Sequence, residues 1–500
     1  MDKNTRLTLA GVALAIFMGA IENTVAGTAM PTVIGSLGGI EYYSWVFSAY
    51  ILAATVMTPI WGKMADLAGR RPAFFGGLAC FIIGSALAGA SQSMSQLITF
   101  RTLQGLGAAA LFPIGMTIAS DLLTLEQRAK VIGLFSSMWG VASLAGPLVG
   151  GYLATYLSWR WIFYLSLPFG ILAGVIVFMT YSERYERRKE IKVDYAGATT
   201  LAASLSLLLL CFQGTAISPA AFLASLAGSI ALAGLFIFIE LRSPEPLIPL
   251  DLFRNRMVSL ASIHGVFAAM ALVGTLNFLP LFVQAVHGTD AIAAGRILIP
   301  YILPWVFSAT TGGRLVLKFG YRKVVLLGMA FIIVGAVFLA RVNPETSTLS
   351  LSIYVALLGV GGGFTMASLM IAAQHAVKGT QLGVTTSLVL FSRSIGAATG
   401  TAIMGALMNW RLDSELNRGG QQFLKARGND LAATVLPQSR QAMSREAIEV
   451  LQRAFASSLR LAFAAVLAAA ICALVVSLLI PAGSAHELAH SDHQADDPAT

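Results

Sequence analysis

Residues 8–30 read TLAGVALAIFMGAIENTVAGTAM, twenty-three positions with a single formal charge, at Glu22. A helix rises about 1.5 Å per residue, so about 20 such residues cross the ~30 Å of bilayer hydrocarbon with every backbone N–H and C=O satisfied inside the segment. Thirteen further stretches have the same character, at about residues 44–64, 73–92, 97–120, 131–155, 160–181, 195–213, 219–240, 257–284, 291–316, 323–341, 348–373, 380–408 and 456–481. Fourteen transmembrane helices are expected, and with them an all-α membrane protein. Composition agrees: 56% of the 500 residues are hydrophobic and 11% charged, a balance that excludes a soluble globular chain.

The formal net charge is +9. In a soluble protein that excess would suggest nucleic acid, but here its position along the chain is informative, because cytoplasmic loops collect Lys and Arg. With the N-terminus inside, Lys3, Arg6, Lys63, Arg70, Arg71, Arg128, Lys130 and the cluster Arg184 to Lys192 all fall on the cytoplasmic side, whereas short outer loops hold little beyond Arg160 and Arg341. A multi-pass protein of the cell's inner membrane is expected, with both termini cytoplasmic and no nucleic-acid partner. No cleavable signal is expected, since the first apolar stretch runs on to Ala29-Met30-Pro31. Cys80, Cys211 and Cys472 fall inside predicted spans, where they pack as small hydrophobes rather than as a disulfide framework.

Two charged linkers divide the chain. The run Glu183 to Lys192 follows the sixth span, and the proline-rich run Glu240 to Arg256 precedes the ninth, which leaves two spans between two blocks of six. The expected organisation is a six-helix bundle over 1–182, two inserted helices with their linkers over 183–256, a second six-helix bundle over 257–481, and a disordered cytoplasmic tail over 482–500. The second bundle includes a long outer loop at 409–455, whose later part, from about Ser439, has the pattern of a helix running into the last span. Gly62-Lys-Met-Ala-Asp66-Leu-Ala-Gly69-Arg70-Arg71 after the second span has a weaker echo in Gly313 to Arg322 after the tenth, without the acid. Parallel repeats of this kind build transporters whose substrate site lies near the membrane midplane between the halves.

Charges at membrane depth mark function, because each costs about 2.5–3.5 kcal/mol to insert at the centre of a span. Glu22 shares a helix face with Ala15, Met18, Gly19, Ala26 and Ala29, while Leu14, Phe17, Ile21 and Val25 form a bulkier stripe, so Glu22 is expected to point inward. Desolvation disfavours a charged carboxylate and a nearby cation favours it. A glutamate exposed alternately to the two sides of the membrane can therefore take up and release a proton in each cycle. Arg101 lies in Leu97-x-x-x-Arg101-x-x-Gln104-Gly105-x-Gly107-Ala108-Ala109, with small or polar neighbours on its face. A fixed ion pair between Glu22 and Arg101 or Arg393 is the competing structural role. Arg393 again lies on a small-residue face, with Gly396 and Gly400. Asn23, Gln104, Asn277, Trp305, Phe364 and Arg393 are candidates for the substrate cavity; His264, Gln284 and Gln374 are further polar residues at depth, with packing between helices the simpler role for each.

The loop Gly62, Asp66, Gly69, Arg70, Arg71, the Arg101 segment and the helix containing Gly146-Pro147 and Gly150-Gly151 together resemble the major facilitator superfamily, and within it the fourteen-helix drug:proton antiporters. The resemblance implies the superfamily fold in a 6+2+6 arrangement. It implies that the Gly62–Arg71 loop latches an inner gate and that Glu22 and Arg101 couple protons. It also implies that Gly146, Pro147, Gly150 and Gly151 form the antiporter signature, which favours export. The family has Asp where Glu22 stands and Gly where Ala142 stands. The expected partners are a small-molecule substrate, protons and membrane lipids, with a periplasmic or outer partner left open; the proton gradient replaces any cofactor. Export of an endogenous lipid, siderophore or metabolite is the alternative, and a non-transporting receptor or scaffold a more distant one.

His486-Glu487-Leu-Ala-His490 fits a zinc-peptidase pattern but lies in a polar tail with no domain to hold it, so no metal site and no catalytic residue are expected.

Overall fold

The computed structural model describes residues 2–123, 125–182, 194–211, 219–244, 246–248, 250–377, 381–417 and 443–481. These are helical almost throughout. The helices are α1 (Lys3–Leu37), α2 (Tyr43–Ala68), α3 (Arg70–Ala90), α4 (Met94–Leu122), α5 (Leu125–Tyr156), α6 (Trp161–Tyr164), α7 (Ser166–Thr180), α8 (Tyr195–Cys211) and α9 (Pro219–Glu240). They are followed by α10 (Arg256–Ala285), α11 (Ala291–Arg296), α12 (Ile299–Phe319), α13 (Tyr321–Leu339), α14 (Thr348–His375), α15 (Leu382–Glu415) and α16 (Arg445–Leu478). Side-chain oxygens cap several starts: Asp2 Oδ1 accepts from Thr5 N at 2.9 Å, and Ser347 Oγ from Ser350 N at 3.1 Å.

Among the described residues, twelve helices are long and apolar enough to cross a membrane. The described residues therefore show twelve of the fourteen expected spans as candidates. The stretch at 195–213 forms α8, described over 17 residues, which cover about 26 Å. The stretch at 131–155 lies in α5, a 32-residue helix many of whose side chains fall outside the described residues. At the other end of the chain, α15 continues past residue 408 to Glu415 and α16 runs unbroken from Arg445, so both helices extend into the expected 409–455 loop.

The chain divides into two compact units. The first comprises Met1–Leu247, Leu279–Arg296 and Leu416–Leu451; the second comprises Ile248–Phe278, Ile297–Glu415 and Gln452–Thr500. In the first, α1 packs on α4, α5, α7 and α11, so it is enclosed nearly all round. Ile21 and Val25, on the bulkier stripe, are buried with the rest. A helix apolar on every face belongs in a core, which is where α1 sits. By contrast α7 turns Ile171, Val175, Phe178 and Met179 outward, as a lipid-facing helix does. The pair α8 and α9 is tied by reciprocal bonds, Ser204 Oγ to Ser229 O and Ser229 Oγ to Ser204 O, both 2.9 Å.

Close backbone approach holds each unit together, and the two units use it alike. In the first, Gly105 of α4 lies on Tyr50 O of α2 and Gly107 on Phe81 N of α3; in the second, Gly359 of α14 lies on Tyr301 O of α12 and Gly361 on Ile332 N of α13. A Cβ at any of these glycines would collide with backbone, so only glycine permits the crossing. The turns repeat too. Gly69 (φ 102°) joins α2 to α3 and Gly320 (φ 78°) joins α12 to α13, both in the left-handed region that favours glycine.

Candidate functional site

The enclosed helix α1 brings Glu22 to Arg101 of α4. Arg101 Nη1 lies 3.2 Å from Glu22 Oε1, and each residue is 1% exposed. The same Nη1 donates to Gln104 Oε1 at 2.6 Å, one turn further along α4. Gln104 Nε2 donates to Ser85 Oγ of α3 at 3.0 Å, and Ser85 is 2.7 Å from Ser166 Oγ and 2.8 Å from Phe163 O. The Tyr50 ring of α2 covers the guanidinium at 4.1 Å. Arg101 Nε is buried with no hydrogen-bond partner among the described residues.

This arrangement follows from the local packing. A Cβ on Gly84 of α3 would come 2.5 Å from Gln104 N, so the absence of a side chain there brings α3 against the Arg101 turn and delivers Ser85 to it. Two unit charges 3.2 Å apart attract by about 5 kcal/mol at an effective dielectric of ~20. Leaving one of them buried alone costs about 3–5 kcal/mol. Each member of the pair is therefore stabilised by the other.

One candidate gains a partner here, and three residues that the sequence did not single out join it. Gln104, a candidate for the cavity wall, is 0% exposed and serves as the second acceptor for Arg101. Tyr50, Ser85 and Ser166 complete the network without having stood out in the sequence; Tyr50 and Ser85 lie in otherwise ordinary apolar runs, and only the fold brings them to Arg101.

The glycine-proline helix lies directly against the Glu22 helix. A Cβ on Gly146 of α5 would strike Thr24 Oγ1, and one on Gly150 would strike Thr28 Oγ1 and come 2.7 Å from Val25 O. The Thr24 hydroxyl, which donates back to Ile21 O at 3.0 Å, is also 3.1 Å from Ala142 O. On its other side, Gly151 approaches Ala291 O of α11 at 2.6 Å for a Cβ placed there, and Pro147 O abuts Gly295. The four signature residues are thus a contact strip between α1 and α11.

At the Gly62–Arg71 loop, Arg70 is buried and its Nε lies 2.7 Å from Asp121 Oδ2 at the end of α4. Arg71 Nη2 donates to Phe178 O of α7 at 2.9 Å, with the guanidinium 4.8 Å above the Phe178 ring. Gly62 has open space where a Cβ would be. The side chains of Asp66 and Asn23 lie outside the described residues. Asp121 was missed in the sequence, although an acid just beyond an apolar run is the available signal.

The remaining cavity candidates fall in the second unit. Asn277 Nδ2 donates to Thr401 Oγ1 at 3.0 Å. Trp305 packs over Gly362 and against Tyr301, ring centroids 5.6 Å apart, and Phe364 lies against Gly312 and Gly328. Arg393 Nη2 donates to Met366 O at 2.7 Å. His264 is fully buried with Nδ1 3.0 Å from Ser477 Oγ. Gln284 Nε2, in the first unit, donates to Thr28 O at 3.0 Å. Among the described residues no group of three or more His, Cys, Asp or Glu side chains is placed to hold a metal, and the His486–His490 pattern lies outside them.

The profile of the Major Facilitator Superfamily matches residues 12–401. The chain belongs to this superfamily. Among its relatives, the multidrug transporter protein MdtP of Bacillus subtilis is 36% identical over 409 residues, covering 81% of this chain and 75% of the relative. Multidrug resistance protein 3 of Bacillus subtilis is 34% identical over 430 residues, covering 83% and 81%. Of solved structures, a bacterial homologue of the human lysosomal transporter Spinster, in an inward-facing and occupied conformation, aligns over 96% of this chain and 97% of its own with a TM-score of 0.68 at 17% identity. That likeness shows the all-helical fold alone; the profile and the relatives show a multi-pass transporter of the superfamily.

Proposed function

We propose that this protein is a proton-coupled exporter of amphiphilic small molecules that works by alternating access. It crosses the cell's inner membrane fourteen times in a 6+2+6 arrangement, with both termini cytoplasmic. The observation that carries the reading is the sealed Glu22–Arg101–Gln104 cluster on a helix packed along its next turns by Gly146 and Gly150. Protonation of Glu22 removes the attraction to Arg101, and deprotonation restores it, so the cluster has two states that differ by one proton. The relatives named for multidrug transport and resistance support drug-like cargo.

One proton moving inward supplies about 2.3 kcal/mol per 100 mV and about 1.4 kcal/mol per pH unit. With 100 mV and one pH unit this sustains a cargo gradient of roughly several hundredfold. The test uses purified protein in proteoliposomes with an imposed pH gradient. Glu22→Gln is expected to abolish gradient-driven accumulation of a cationic dye while leaving downhill exchange. Full gradient-driven accumulation by that variant rejects the assignment.

A further inference from the structure

The two units treat the arginines within their long apolar helices differently. Arg101 has a carboxylate, an amide and an aromatic ring around it. Arg393, on α15 in the second unit, has one hydrogen-bond partner among the described residues, the carbonyl of Met366 at 2.7 Å, and its Nε is buried with no acceptor among them. The acidic residues of the described part of that unit are Asp251, Glu345, Asp413 and Glu415, and all four sit at helix ends or in connections. None forms an ion pair with Arg393 among the described residues.

The side chain is nonetheless held firmly. A Cβ on Gly265 of α10 would come 3.1 Å from Arg393 Cγ, and the following glycines of α15, Gly396 and Gly400, lie on the backbone of Val266 and Met270. Helix α10 therefore grips the stem while Met366 O fixes one edge of the guanidinium. Arg393 is half-buried, so unlike Arg101 it is not closed off from a ligand. A planar guanidinium with free donors, fixed in direction and partly accessible at membrane depth, matches the two-oxygen face of a carboxylate, sulfonate or phosphate ester.

We propose that Arg393 anchors an oxyanion carried by the exported molecule, so that the protein selects acids and zwitterions over the corresponding neutral or cationic esters. The inference rests on the efflux reading above and adds a substrate class to it. A charge-assisted pair of this kind contributes about 1.5–3 kcal/mol, which is roughly ten- to a hundredfold in selectivity.

The test compares rhodamine 110, which bears a free carboxylate, with its methyl ester rhodamine 123, in proteoliposomes of phosphatidylcholine with and without phosphatidylglycerol. Wild type is expected to export the acid in preference, and Arg393→Gln to lower the acid-to-ester ratio about tenfold in both lipid mixtures. Arg393→Lys, which keeps the charge but not the fork, is expected to fall between them. An unchanged ratio in both variants, or equal loss of both dyes in both variants, overturns the proposal. A defect confined to vesicles with phosphatidylglycerol overturns it as well, since the oxyanion would then be a lipid headgroup. If wild type moves neither dye against a gradient, the efflux reading fails first.

Discussion

The Glu22–Arg101 pair invites a double-mutant cycle. Glu22→Gln preserves shape and removes the carboxylate, leaving Arg101 charged, 1% exposed, and supported by Gln104 Oε1 at 2.6 Å and the Tyr50 ring at 4.1 Å. The lost attraction is about 5 kcal/mol at 3.2 Å and an effective dielectric of ~20. The Gln104 bond and the ring return part of it, so a net destabilisation of about 2–4 kcal/mol is expected. Arg101→Gln strands the carboxylate instead and is expected to cost about 3–5 kcal/mol. The double variant removes both charges, so its loss should be well below the sum, with a coupling of at least about 2 kcal/mol. Denaturant-induced unfolding of the purified protein in detergent measures all four corners. In the same set, gradient-driven transport should be absent from every variant lacking Glu22, including the double variant that regains stability. Additive stabilities, or transport restored along with stability, would refute the two-state role of the pair.

Three further outcomes follow from the packing. Gly107→Val, with Phe81 backbone where the side chain must go, should destabilise by about 1–3 kcal/mol or prevent folding, whereas Gly62→Ala, facing open space, should stay within about 0.5 kcal/mol in thermal unfolding. Gly69→Ala places a Cβ at φ 102°, so a loss of about 1–2 kcal/mol is expected in the same assay, with no gain from the added helix propensity. Asp121→Asn leaves the buried Arg70 with a neutral acceptor at 2.7 Å; it should cost about 1–3 kcal/mol and be non-additive with Arg70→Gln in denaturation experiments.

Much of the site is legible in the sequence for a simple reason: a charge inside an apolar run is conspicuous, and a bilayer leaves it few places to go. Glu22 and Arg101 stand out on that ground and the fold brings them together. What the sequence hides is partnership across distance. Asp121 lies some fifty residues from Arg70, and Ser85 reaches Gln104 only because Gly84 lets two helices touch. On α1 a period of 3.6 separates small from bulky residues without saying what each stripe meets; Ile21 and Val25 are buried like Ala26 and Glu22. The internal repeat reads faintly as Gly62–Arg71 against Gly313–Arg322. It is plainer in space, where Tyr50 and Tyr301, Gly105 and Gly359, and Gly69 and Gly320 do matching work through backbone atoms whose neighbours are free to diverge.

That divergence reaches the corners where each repeat turns. After Gly69 the first side chain is Arg70, paired ionically with Asp121, whose carboxyl side is 32% exposed; after Gly320 it is Tyr321, whose hydroxyl meets His375 Nδ1 at 2.9 Å. Dissolved electrolyte reaches the first contact only through its partly exposed carboxyl, so it weakens that contact modestly, and it hardly touches the second. One corner is therefore the more responsive to salt and its counterpart the more constant, so a change of medium slightly shifts the balance between the two corners.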